Sequence, residues 1–344
     1  LFVTRVLFAG CRAEVDFFLI LYILLTIYED IIDNTRPWKV EQGEEISMRI
    51  REAGKITDNL WYLGRMESGI YVLEGQDSSI IINGGISFIL PDVLTQMKDF
   101  GIDVDKIKKL LILHSHFDHV GIVPYFKRNY PEIEVYASAP AWKILTMPKA
   151  IETINMFSKI VANQMGLGES LDDFDSEWRD DVSGTTVSEG DRIYLGGATL
   201  SIMETPGHSS CSITAYEPNL KALFASDAVG IPYRETAFPS GNSNYTQFQE
   251  SLERLKPLQV DYLCADHYGY VSGDEARTYV DFSIEAARKM RADMEDVYRK
   301  EGDIDTAAKA ITDSFYRQSP DYFISADILE GVFKQMVKHI AKTL

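Results

Sequence analysis

The run His114-Ser115-His116-Phe117-Asp118-His119 constrains this chain more than any other stretch. It follows directly on Lys109-Leu110-Leu111-Ile112-Leu113, whose apolar residues read as a buried strand. Alternate residues of an extended segment point the same way, so His114, His116 and Asp118 project together as the chain leaves that strand, and His119 reaches round at the turn. Three imidazoles and a carboxylate packed this closely have no packing rationale, because each buried polar ring would need its own partner. They are donors for divalent cations, and they suit two adjacent ions better than one. The other donors also follow strands: His208 in Thr205-Pro206-Gly207-His208-Ser209, Asp227 after Leu223-Phe224-Ala225-Ser226, and His267 after Val260-Asp261-Tyr262-Leu263-Cys264. Such sites meet only if their strands lie side by side, as at ligand sites on α/β scaffolds.

The rest of the pattern supplies such a scaffold. From about residue 50, short β-rich runs at 60–63, 70–73 and 79–82 are separated by polar turns. A helix opens at Pro91, with further helices around 122–129 and 139–147 and the strand Glu134-Val135-Tyr136 between them. Residues 150–186 read as an insertion: a helix carrying Met156 and Phe157, then an acidic stretch. Strands return at 192–195, 199–203, 212–216 and 222–225, followed by a helix over about 245–255 and a strand at 260–264. From Asp274 onward the signal is helical, with segments to about Lys300, over 306–316 and over 326–342. The expected organisation is an N-terminal extension (1–47), an α/β catalytic domain (48–272, with the 150–186 insertion) and a C-terminal helical module (273–344) covering the site.

Composition narrows the function classes. The chain has 344 residues, with 45% hydrophobic and 25% charged, as globular proteins do. Its 34 basic against 52 acidic residues give −18, which argues against nucleic acid or an anionic membrane surface as partner. Cys11, Cys211 and Cys264 are too few and too scattered for a disulfide framework or zinc ribbon, and fit a reduced cytoplasmic setting. The apolar stretch within residues 15–28 is shorter than a bilayer span and no cleavage site follows it, so membrane contact is expected only if that stretch serves as an anchor. The first methionine is Met48, and Gly43-Glu44-Glu45 would be encoded by purine-rich codons just upstream of it. Residues 1–47 are therefore expected to be largely translated leader, with the working protein starting near Met48.

With HxHxDH, Gly207-His208, Asp227 and His267 in this order, residues 50–272 resemble the metallo-β-lactamase-fold hydrolase superfamily. The resemblance implies a four-layer αβ/βα sandwich with metals at one edge. It implies that His114, His116 and His208 bind a first ion, that Asp118, His119 and His267 bind a second, and that Asp227 bridges them. Zn2+ is favoured, with Fe and Mn as alternatives, and a metal-bridging hydroxide oriented by Asp118 would be the nucleophile. One departure is visible: the acid of the early Ile-Asp-x-Gly motif is Asn83 here, which puts fine positioning of the site in doubt.

The substrate is less constrained. Asp227 stands where the Cys-ligand β-lactamases carry Cys, which points away from β-lactams. The stretch from Pro206 through Ser226-Asp227-Ala228-Val229-Gly230 to Leu255 is similar to the quinolone-signal thioesterase branch, beside the glyoxalase II-like enzymes. A thioester or similar ester of a small molecule is the expected substrate, with a lactone or phosphodiester as the alternative. A regulatory or partner-binding protein with a retained metal site, a possible homodimer through the helices, and a di-iron redox protein are the readings of other classes. Met156, Phe157, Phe315, Tyr316, Tyr322 and Phe323 are candidates to line an apolar channel, and Tyr233 and Tyr268 to bond a substrate carbonyl. The plainer reading is that these aromatics pack the helices together. His339 reads as a solvated helical residue, and Cys211 and Cys264 as small buried ones.

Overall fold

The computed structural model describes residues 49–171 and 173–344. The expectations placed on residues 1–47, the stretch 15–28 included, lie outside the described residues. After the short strand β1 (Arg49–Ile50), one mixed sheet runs β2 (Gly54–Thr57), β3 (Leu60–Gly64), β4 (Gly69–Glu74), β5 (Ser79–Ile82), β6 (Ile107–Leu111), β7 (Glu134–Ser138) and β8 (Thr185–Val187), in that spatial order. A second sheet takes β9 (Arg192–Tyr194), β10 (Thr199–Glu204), β11 (Ile213–Glu217), β12 (Ala222–Phe224), β13 (Tyr262–Cys264) and β14 (Tyr270–Ser272), with β1 at its far edge beside β14. Pairing is antiparallel except along β5-β6-β7-β8 and between β12 and β13.

Both faces of these sheets are buried, which is why their strands read as apolar runs instead of alternating with polar residues. The alternation survives as a division between two cores. In β4, Tyr71 and Leu73 enter the core between the sheets, whereas Ile70 and Val72 enter the outer one. Ile80 and Ile82 against Ile81 repeat this in β5, as do Leu111 against Leu110 in β6 and Phe224 against Leu223 in β12.

Helices cover each outer face. Over the first sheet lie α1 (Leu90–Asp99), α2 (Val123–Asn129), α3 (Ala139–Leu145) and α4 (Pro148–Gln164), each with Pro in its first two positions, where no intrahelical N–H is lost. Over the second lie α5 (Tyr245–Leu255), α6 (Gly273–Glu301), α7 (Ile304–Gln318) and α8 (Ala326–Ala341). Gly302, at φ 71°, ends α6 in the left-handed conformation, and the Asp303 side chain caps α7 at the Thr306 N–H. The layers are therefore helix, sheet, sheet, helix. The helices after Ser272 share one core with the second sheet, through Tyr279, Ile284, Ala307, Phe333 and Val337 packed with Leu223 and Leu263. Among the described residues, no helix is long and apolar enough to cross a membrane.

The sheets are stitched together along one edge by polar contacts. Ile213 N–H donates to Leu113 O at 2.9 Å, Gly69 N–H to Asp266 O at 2.8 Å, and Tyr268 N–H to Met66 O at 2.6 Å. Tyr71, buried between the sheets, donates its hydroxyl to Ala265 O on the strand end that carries His267. Tyr71→Phe leaves that carbonyl without its donor while keeping the ring. It should lower unfolding stability by about 1–3 kcal/mol, read as an earlier denaturation midpoint with unchanged slope. An unchanged midpoint would show that the bond contributes nothing.

Candidate metal centre

The stitched edge is where the strand-end donors meet. His114 leaves β6, and a single 3-10 turn (Phe117–His119) swings Asp118 and His119 back toward it. His208 is presented by a turn that only glycine fits: Gly207 has φ 134°, and a Cβ there would lie 2.2 Å from the Phe248 backbone N in α5. Asp227 sits in a 3-10 turn after β12, and His267 follows β13.

All seven predicted donors converge. His114 Nε2 lies 3.1 Å from His116 Nδ1 and 3.2 Å from His208 Nε2, and the last two are 2.9 Å apart. Three imidazole nitrogens in such a triangle cannot all be satisfied by sharing protons. Nitrogens that share one tetrahedral ion lie roughly 3.3 Å apart, given metal–nitrogen bonds of about 2.0–2.1 Å. Beside them, His119 Nε2 is 3.2 Å from His267 Nε2 and 3.6 Å from Asp118 Oδ1, and His267 Nε2 is 3.5 Å from Asp118 Oδ2. Asp227 Oδ2 lies between the groups, 3.3 Å from His208 Nε2 and 3.4 Å from His119 Nε2. This donor set fits divalent cations.

Four of the five rings are aimed by what the nitrogen facing away from the centre touches. His208 Nδ1 donates to Ser240 O at 2.7 Å, His267 Nδ1 to Glu67 O at 2.5 Å, and His119 Nδ1 to Asp266 Oδ2 at 3.0 Å. Ser226 Oγ sits 3.2 Å from His114 Nδ1 and 3.3 Å from His119 Nδ1. These partners fix the tautomers that leave the converging nitrogens free to bind a cation. Sequence reading missed Asp266, Ser226 and Ser240. The available signal was that Asp266 and Ser226 each immediately precede a predicted donor. His119 takes a carboxylate from Asp266, while Asn83 Nδ2 lies 3.4 Å from the same ring nitrogen and Asn83 Oδ1 is buried without a hydrogen-bond partner. Backbone strain gathers at the same place: Asn83 (φ 72°), Ser226 (φ 49°) and Tyr268 (φ 58°) are left-handed without being glycine.

Charge divides the site. Burial, reinforced by neighbouring imidazoles, holds His114 well below the ordinary histidine range and His116 at about 3, and burial also lowers His208. Burial opposes ionisation of Asp118 and Asp227, but His119 and His267 outweigh it and keep both carboxyls below their usual range. The converse holds for His119 and His267, where the two carboxylates overcome burial and raise both rings.

A cleft of about 670 Å³ opens on the donors, with Asp118, His116 and Asp227 in its wall. Of the predicted lining residues, Phe157, Tyr322 and Phe323 border it. Met156, Tyr233, Tyr268, Phe315 and Tyr316 do not. Met156 lies one position round α4 from Phe157 and is 47% exposed. The Tyr233 hydroxyl donates to Asp321 Oδ1 at 2.8 Å, and Tyr268 packs against its ring at 5.0 Å. Phe315 is wedged among Phe238, Tyr322 and Phe333, and the Tyr316 hydroxyl donates to Ile324 O. Cys211 and Cys264 are buried, as expected of small residues, and belong to none of the donor groups. His339 is half-buried instead of solvated, with Nε2 3.4 Å from Thr246 Oγ1.

Residues 64–267 match the sequence profile of the Metallo-beta-lactamase superfamily, and the chain belongs to that family. It is 26% identical over 213 residues to the metallo-beta-lactamase fold-containing protein ST1585 of Sulfurisphaera tokodaii, a match covering 59% of this chain and 73% of that one. The solved structure of ST1585 superposes with a TM-score of 0.50 at 21% identity, over 68% of this chain and 86% of that one. Human acyl-coenzyme A thioesterase MBLAC2 is 26% identical over 49% of this chain and 61% of its own length. The Haemophilus influenzae hydroxyacylglutathione hydrolase GloC is 28% identical over 50% of this chain and 74% of its own.

One outcome follows from the geometry. Asp266→Asn keeps the shape but removes the acid on His119, and should weaken metal binding roughly 10–100-fold in a chelator competition; unchanged affinity would refute the role.

Proposed function

We propose that this member of the metallo-beta-lactamase superfamily hydrolyses a thioester or similar ester of a small molecule with two divalent ions, Zn2+ favoured. The observation that carries the binuclear reading is Asp227, whose Oδ2 lies within 3.4 Å of a nitrogen from each donor group. His114, His116 and His208 would hold one ion, Asp118, His119 and His267 the other, and Asp227 both. When bound, such ions lower the pKa of a coordinated water toward about 7 and polarise the acyl carbonyl.

The chain's own residues do the rest. Asp118 is ionised and borders the cleft, so it accepts a hydrogen bond from the attacking water and orients it. The Asp266–His119 and Ser240–His208 contacts keep the ring nitrogens aimed without reorganisation during turnover. In the reaction the water oxygen bonds to the acyl carbon, the C–S bond breaks, and the thiolate takes up a proton as the acid is released. Support for a thioester over other acyl bonds comes from the relatives that bear thioesterase and hydroxyacylglutathione hydrolase names. The apolar part of the cleft suits the acyl group, with Phe157, Ile328 and Val332 in its wall.

The test is a panel of thioesters, lactones, phosphodiesters and β-lactams offered to metal-loaded protein. Thioesters should turn over fastest, and no turnover of any ester-like substrate with metals bound would overturn the hydrolase reading. His116→Ala removes one nitrogen of the triangle and should cost at least about 100-fold in kcat together with one equivalent of metal. Full activity in that variant would refute the assignment.

A further inference from the structure

On another face of α4 lies a second cavity of about 720 Å³, somewhat larger than the metal cleft. The helix divides the two spaces. Thr153 and Phe157 border the cleft, Asn155, Ser158 and Ala162 border the cavity, and Ile154 borders both. None of the seven donors lines the cavity, although its wall includes Val120 and Gly121, the two residues after His119.

The wall is held in place by bonds of its own. Trp178 N–H donates to Asn155 Oδ1 at 2.9 Å, Asn155 Nδ2 donates to Trp178 O at 2.9 Å, and the indole N–H of Trp178 donates to Leu145 O at 2.9 Å. These contacts fasten the chain around Trp178 to α3 and α4. Val120, Ile154, Ala162, Phe174 and Trp178 give the wall apolar surface, as in sites that take small organic molecules. Ser158 stands among them with only 8% of its surface exposed, and its hydroxyl has no hydrogen-bond partner among the described residues. Thr153, in contrast, turns its hydroxyl back onto Lys149 O at 2.8 Å. The oxygens of Ser79 and Thr214 are sealed, whereas that of Ser158 keeps accessible surface within the cavity it lines. A buried hydroxyl that is unpaired and reachable is one that a bound molecule can complete.

The charges of the wall do not balance. Lys159 is paired with Glu177 at 2.6 Å, and Arg179 is paired with Asp175. Glu169 and Asp173 also line the cavity, both exposed, and neither has an ion pair among the described residues. The charge left over is negative.

We propose that this cavity is a second ligand site, separate from the metal centre, for a small amine with an apolar body and a further polar group. The ammonium group answers Glu169 and Asp173, the apolar body lies against Ile154, Phe174 and Trp178, and the further polar group pairs with the Ser158 hydroxyl. A cation beside aromatic side chains adds to the fit. The site does not depend on what the metal centre hydrolyses.

The test is a ligand-observed NMR titration of metal-loaded protein at pH 7 with 6-aminohexan-1-ol and with hexane-1,6-diol, which lacks the charge. The amine is protonated at that pH and has no lone pair to offer a metal ion. It should bind about tenfold more tightly than the diol, as a charge-assisted contact implies. In the doubly substituted Glu169→Gln, Asp173→Asn protein, that preference should fall toward one. Ser158→Leu projects into the cavity and should weaken both probes at least about tenfold; Ser158→Ala, which removes only the hydroxyl, serves if the leucine variant does not fold and should weaken both severalfold. His116→Ala should leave both affinities unchanged. Absence of binding, equal affinities in wild type, or a preference that survives in the double variant overturns the proposal. So does binding that is lost in His116→Ala and kept in the Ser158 variants, since that places the probes in the cleft.

Discussion

Five imidazoles and two carboxylates face one another across a few ångströms of buried space, and the rest of the molecule is arranged around that fact. Without a cation such a cluster is costly, since lone pairs oppose lone pairs and carboxylates oppose carboxylates where water cannot relieve them. The fold must therefore supply rigidity. It does so by bringing four strand ends from two sheets to one edge and tying that edge with backbone hydrogen bonds between the sheets. The partners of the outer ring nitrogens extend the same rigidity one layer outward.

Strain accompanies the arrangement. Ser226 and Tyr268 adopt left-handed backbone beside Asp227 and His267, and Asn83 does so at the end of β5. Such conformations persist only where the surroundings over-determine them. Here the over-determination is visible: Tyr268 N–H is held by Met66 O, and the Ser226 hydroxyl is lodged between two imidazoles. Ser226 immediately precedes Asp227 and Tyr268 immediately follows His267, so the sharp turns flank the donors themselves.

Much of this was legible in the sequence. The strands at 60–63, 70–73 and 79–82 and the His114–His119 run announced themselves through β-rich runs and polar residues with no packing rationale, and both are local signals; His208, Asp227 and His267 gained weight only from their order along the chain and the family resemblance. What stayed hidden depends on tertiary contact. Asp266 looked like an ordinary acid before a histidine, and nothing local could show that it meets His119 from the other sheet. The cleft lining was mixed for a similar reason. Phe157 and Met156 are equally apolar neighbours, but a helix turns about 100° per residue, and only its packing decides which of them faces the cleft. Tyr233 and Tyr268 sit close to donors in sequence, yet hydrogen bonds and ring packing use them elsewhere.

The centre and the cleft are drawn from different parts of the chain. Every donor lies between His114 and His267, whereas part of the cleft wall comes from Ile328, Leu329 and Val332 in α8. Synthesis is vectorial, and folding can begin N-terminal first as a chain emerges. All seven donors are thus in existence before the wall that will enclose them. The centre's donors and the surface that selects what approaches them are therefore separate segments of the chain, and changes in α8 can reshape the cleft while leaving every donor in place.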